Sequence, residues 1–85
     1  MHTIELLEHA QRAAKQLGLR VRQELLSGPG GLCEYGGERW LFVDLAASPA
    51  EQLATFVEAL AGQAEWQQLK IVPELRQRLS IRRAA

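Results

Sequence analysis

The chain has 85 residues with ten Lys plus Arg against ten Asp plus Glu, so its net charge is zero. A single small domain is the only division this length allows, and a balance of 47% hydrophobic to 24% charged residues is that of a globular chain, which excludes global disorder. Zero net charge also excludes a protein-wide field that would draw in nucleic acid or an anionic membrane.

Residues 3–17 read as an amphipathic helix. Leu6, Leu7, Ala10, Ala13, Ala14 and Leu17 recur at three- and four-residue spacing and form one face. Thr3 is placed to cap its start, Glu8 to pair with Arg12 one turn on, and Gly18 to end it in the left-handed region. The period then changes to two. Leu19, Val21 and Leu25 alternate with Arg20, Arg22 and Glu24, the pattern of a strand with one wet face, with Gln23 out of place on the dry side. "SGPGG", Ser27 to Gly31, can continue neither helix nor strand and reads as a loop.

"GLCEYGGERWLFVDL" reads as a β-hairpin, because Gly36-Gly37 supplies the positive φ angles of a two-residue turn. That turn fixes a register: Tyr35 faces Glu38, Glu34 faces Arg39, Cys33 faces Trp40 and Leu32 faces Leu41. Glu34 and Arg39 are then an opposite-charge pair. One sheet face carries Leu32, Leu41, Val43 and Leu45; the other carries Cys33, Tyr35, Trp40 and Phe42. Both faces are apolar, yet helices in a two-layer domain of this size cover only one. The second face calls for the C-terminal segment or for another chain.

Ser48-Pro49-Ala50-Glu51 is a capping box with proline at the first helical position. It opens a helix over 49–61 with Leu53, Phe56, Val57 and Leu60 as its buried stripe, and Gly62 at its stop. Trp66 and Leu69 read as core or interface anchors. Pro73 and Glu74 start a short final helix in which Leu75 and Leu79 share a face, and the basic end, residues 80–85, is expected to fray. The whole is expected to be one α+β domain, 1–85: a small antiparallel sheet of three strands, packed by the N-terminal helix and the 49–61 helix, with a short C-terminal helix.

The stretch from Leu17 to Gly62, "LGLRVRQELLSGPGGLCEYGGERWLFVDLAASPAEQLATFVEALAG", resembles the core of the zincin-like metallopeptidases that cleave phage-immunity repressors, in the order helix end, strand, glycine turn, hairpin, helix. It covers about half the chain. The pattern GGLC…WLFVDL…EQ is also similar to that of other short bacterial proteins, a likeness that carries no function. The peptidase likeness implies a zinc-binding HExxH helix, in which two histidines hold the metal and a glutamate activates its water. Laid on this chain, that motif puts Glu58 and Gly62 at the histidine positions and Ala59 at the glutamate. Gly62 has no side chain to ligate a metal and Ala59 cannot act as a base, so the resemblance implies a non-catalytic relative. His2 and His9, seven residues apart on the first helix, are two donors where a catalytic zinc takes three. No metal and no cofactor is expected.

Cys33 is the one cysteine. It cannot close an intramolecular disulfide, which suits a reducing compartment. It reads as a small buried hydrophobe; a thiol redox sensor is the alternative. No basic flank followed by an apolar run opens the chain, and no segment has the length of a membrane span, so a cytoplasmic, bacterial-type protein without a leader is expected. Arg76, Arg78, Arg82 and Arg83 are candidate phosphate contacts for a nucleic-acid accessory role. No stacking aromatics are interleaved with them, and they read better as a solvated helix end beside its negative dipole. The aromatic group is the stronger candidate. Cys33, Tyr35, Trp40, Phe42 and Trp66 are expected to form a protein interface, to a partner or to a second copy, since Trp and Tyr are enriched where binding energy concentrates. The expected role is non-enzymatic.

Overall fold

The computed structural model describes residues 1–28 and 30–84. Pro29 of the "SGPGG" loop and Ala85 of the basic end lie outside the described residues. The elements are α1 (Thr3–Gln16), β1 (Arg20–Glu24), β2 (Gly31–Tyr35), β3 (Glu38–Asp44), α2 (Pro49–Ala61), a 3-10 turn (Ala64–Gln68) and α3 (Pro73–Ala84). The class is α+β, with three helices on a three-stranded sheet.

The sheet is mixed, where an antiparallel one was expected. Its order is β1-β3-β2, and β1 runs parallel to β3 with Arg20 opposite Trp40 and Gln23 opposite Val43. The reason lies in β3. It is the longest of the three strands and the one with fully buried residues, Leu41 and Val43, so it takes the centre. The chain reverses direction from β1 to β2, and the hairpin turns it back again into β3. With β3 inserted between them, β1 and β3 can only be parallel.

The hairpin register is the expected one in each of its four pairs, with Gly31 opposite Phe42 as a fifth. Gly36 and Gly37 have φ of 61° and 79°, the paired positive angles of a tight hairpin turn. Gly30 is held by contact: a Cβ there would lie 2.4 Å from the Phe42 carbonyl oxygen.

One face of the sheet is dry. Leu41 and Val43 are fully buried against α2, in a core with Leu6, Ala10, Ala13 and Ala14 of α1 and with Leu53, Phe56 and Leu60 of α2. Buried alanines stand on both helices, Ala10, Ala13 and Ala14 on α1 and Ala59 and Ala61 on α2, and the two helices pack against each other. α2 opens on the capping box: Ser48 Oγ accepts from the Glu51 N–H at 3.2 Å, and Glu51 Oε1 accepts from the Ser48 N–H at 2.9 Å. α1 starts otherwise than expected. His2, not Thr3, occupies its N-cap, without a side-chain hydrogen bond. Gly18, at φ 79°, follows its end as expected.

α3 lies on the helical layer, against α2 and α1, with Leu75 and Leu79 fully buried. It is helical through Ala84. Two apolar residues assigned to the dry face lie outside it. Leu25 and Leu45 follow the ends of β1 and β3 and are 77% and 52% exposed.

Candidate functional site

The outer face of the sheet is built from alternate residues of all three strands. Registers place Arg20, Arg22 and Glu24 of β1 beside Trp40, Phe42 and Asp44 of β3, and Cys33 and Tyr35 of β2 beside Trp40 and Glu38. Trp40 and Phe42 stack at 6.3 Å between ring centroids. The Arg20 guanidinium sits 5.6 Å from the centroid of the Trp40 ring and binds Glu38 at 2.7 Å. Arg22 binds Glu24 at 3.2 Å. The β1 side of this face is thus a rim of paired charges, and the β2 side is uncharged.

Exposure rises from the middle of the face to the β2 edge. Trp40 and Phe42 are half-buried, while Cys33 is exposed and Tyr35 is 76% exposed. The C-terminal helix packs on the other side of the sheet, so it leaves these four side chains open. The expectation that Cys33 is buried is therefore corrected: a buried thiol here would need a layer over the second sheet face, and the helices form only one layer. The Trp40 indole N–H is enclosed and, among the described residues, has no hydrogen-bond acceptor.

Trp66 does not belong to this face. It is 3% exposed, in the core beneath the 3-10 turn, with Arg76 5.7 Å from its ring centroid. Sequence spacing does not separate a core anchor from a surface one, and the structure makes Trp66 a core anchor. Its indole N–H also lacks an acceptor among the described residues.

The C-terminal arginines do not form one patch. Arg76 donates to the carbonyl oxygens of Leu69 and Gln67 and so ties α3 to the 3-10 turn. Arg82 pairs with Glu58 of α2 at 3.2 Å. Arg76 and Arg83 line a cleft with Trp66 and Gln67, while Arg78 and Arg82 line the groove between α2 and α3. Two sides of one helix divide the charge, and two of the four side chains are already bonded.

The positions aligned with HExxH are equally ordinary. Glu58 is exposed and paired with Arg82, Ala59 is buried, and Gly62 caps α2. His2 stands before α1 and His9 in its middle. Among the described residues, no three His, Cys, Asp or Glu side chains lie close enough to share a metal ion. Also among the described residues, no helix is long and apolar enough to cross a membrane.

Arg39 is the functional-looking residue whose role the hairpin register hid. Its side chain turns away from Glu34 to the helix ends. It donates to the Leu17 carbonyl oxygen at 2.6 Å and to Gln63 Oε1, and lies 3.9 Å from Glu65. One guanidinium thus gathers the C-terminal ends of α1 and α2 onto β3. The Leu17 carbonyl at the end of α1 and the Gln63 side chain just past α2 come within reach of Arg39 only because both helices end beside β3, which no local pattern in the sequence states. No protein-family model, curated protein or solved structure matches the chain.

Proposed function

We propose that this chain is a non-catalytic protein-interaction module that docks a protein partner on the outer sheet face, through Cys33, Tyr35, Trp40 and Phe42. The observation that carries this reading is the placement of α3 on the helical layer, so that among the described residues no helix covers the half-buried, stacked Trp40–Phe42 pair or its exposed neighbours Cys33 and Tyr35. Aromatic residues in a polar rim are the usual anatomy of a docking surface. Here the rim is supplied by the Arg20–Glu38 and Arg22–Glu24 pairs. The likeness to zincin-like peptidases fits as that of a relative without chemistry, since Glu58, Ala59 and Gly62 are respectively an ion-pair partner, a core residue and a helix cap. Cytoplasmic residence suits an exposed, unpaired Cys33.

The test is retention of partners by immobilised wild type and by Trp40→Lys, in reductant. Trp40→Lys is expected to keep the far-UV circular dichroism of the wild type and to lose the partner. A folded Trp40→Lys that holds every protein the wild type holds would refute the face.

A further inference from the structure

We infer that the β2 edge is a self-pairing strand: two copies join β2 to β2, antiparallel, about a two-fold axis at Cys33, giving one continuous six-stranded sheet. The contact is the strand edge, whereas the face reading concerns the surface of the sheet, and the two stand or fall separately.

The two edges of the sheet differ. β1 is guarded: Arg20, Arg22 and Glu24 put charge on three of its five residues, a common protection against strand addition. β2, Gly31–Tyr35, has no Lys, Arg or Pro. Leu32 is 41% exposed, Tyr35 76%, and Cys33 is exposed as well. Its backbone supplies the rest. The two-residue turn makes Tyr35 and Glu38 a hydrogen-bonded pair, so bonding to β3 alternates along the strand through Cys33 and Gly31. The N–H and C=O groups of Leu32 and Glu34 therefore point away from β3, toward the open edge.

An axis at Cys33 satisfies all of them. Leu32 faces Glu34 of the second copy, and those two residues exchange both bonds on each side of the axis. Moving the axis to Glu34 would set two carboxylates face to face. Moving it by half a residue would set outward-pointing groups against inward-pointing ones. With the axis at Cys33, Tyr35 faces Gly31 of the second copy. Its ring covers a position that has no side chain, next to Phe42, which is Gly31's partner in the hairpin. The sequence GLCEY is thus complementary to itself read backwards. Cys33 faces Cys33 in a non-hydrogen-bonded pair, whose Cα atoms lie about 4.5 Å apart, inside the range a disulfide spans. Both helical layers fall on one side of the joined sheet, and the outer faces merge on the other.

Sedimentation velocity of the reduced chain over a concentration series, with Cys33→Lys and Trp40→Lys in parallel, tests this. The wild type is expected to show a monomer–dimer equilibrium. Cys33→Lys should be folded by circular dichroism and monomeric where the wild type is dimeric, and Trp40→Lys should remain dimeric. Diamide, which takes the two thiol hydrogens, should convert wild type to a disulfide-linked dimer. It should leave the Cys33→Ser, Glu34→Cys variant uncrosslinked, because its thiols lie diagonally across the axis. If Cys33→Lys does not fold, the crosslinking pattern decides. A wild type monomeric at every concentration, a dimer unaffected by Cys33→Lys, or better crosslinking at position 34 than at 33 would overturn the inference. A dimer dissolved by Trp40→Lys would move the contact to the face.

Discussion

Removing Arg39 should unfasten the layers of this domain. Its guanidinium makes two hydrogen bonds, to Leu17 O and Gln63 Oε1, and a long contact of 3.9 Å to Glu65. A hydrogen bond to a charged group contributes about 1.5–3 kcal/mol when dry. The Arg39 side chain is 30% exposed, so water takes over part of that when the arginine is lost, and the exposed Glu65 contact adds little. Arg39→Ala is then expected to cost about 2–3 kcal/mol in all. For a domain this small, that lowers Tm by roughly 10–20 °C. Lysine has no planar fork and cannot reach both helix ends, so Arg39→Lys should recover less than half of the loss. Thermal unfolding of the three proteins, followed by circular dichroism at one concentration, is the assay. An alanine variant within about 2 °C of wild type would refute the reasoning, and full rescue by lysine would reduce it to a nonspecific effect of charge.

Glu51 supplies a pH signature. Its bonds to the Ser48 backbone and side chain hold its carboxyl below the usual value of 4.5. The folded state therefore binds this proton less readily than the unfolded one. The stability it contributes is whole above 4.5 and is lost as pH falls through the lower, folded value. The stability gap between wild type and Glu51→Gln, measured by urea unfolding, should close as the pH is lowered through that window; a gap independent of pH would contradict the assignment. Gly30→Ala should destabilise severely or prevent folding, since its Cβ would stand 2.4 Å from the Phe42 carbonyl oxygen, and soluble yield and unfolding midpoint report this. Trp66→Phe should change stability by less than about 1 kcal/mol, because it removes an unsatisfied buried donor along with some volume. Trp66→Ala should cost about 3–5 kcal/mol, and chemical denaturation separates the two.

Legibility followed locality. The hairpin could be read residue by residue because Gly36-Gly37 permits one turn type, and a turn type sets the register. The capping box announced α2, since Ser48, Pro49 and Glu51 act within a single turn of helix. The parallel pairing of β1 could not be read, because it depends on which strand takes the centre, a property of the whole sheet. Cross-strand proximity reads Arg39 as the partner of Glu34, whereas the Leu17 carbonyl at the end of α1 and the Gln63 side-chain oxygen just past α2 take its guanidinium. The tension over the second sheet face was visible in the alternation of Cys33, Tyr35, Trp40 and Phe42. Whether α3 would cover that face was not, because Leu75 and Leu79 fit either side of the sheet equally well. The same ambiguity leaves Trp66 readable as core or interface and Cys33 as buried hydrophobe or interface residue; Trp66 lies in the core and Cys33 is exposed.

The central claim is that the chain leaves its outer sheet face open for a partner. Hydroxyl-radical footprinting of the reduced chain in dilute solution, read by mass spectrometry at Tyr35, Trp40, Phe42, Phe56 and Trp66, measures this directly. Tyr35 should be modified fastest, Trp40 and Phe42 should be modified in the folded state, and Phe56 and Trp66 should be protected until the protein unfolds. Trp40 and Phe42 as well protected as Phe56 would mean that the chain covers its own face, and would contradict the account.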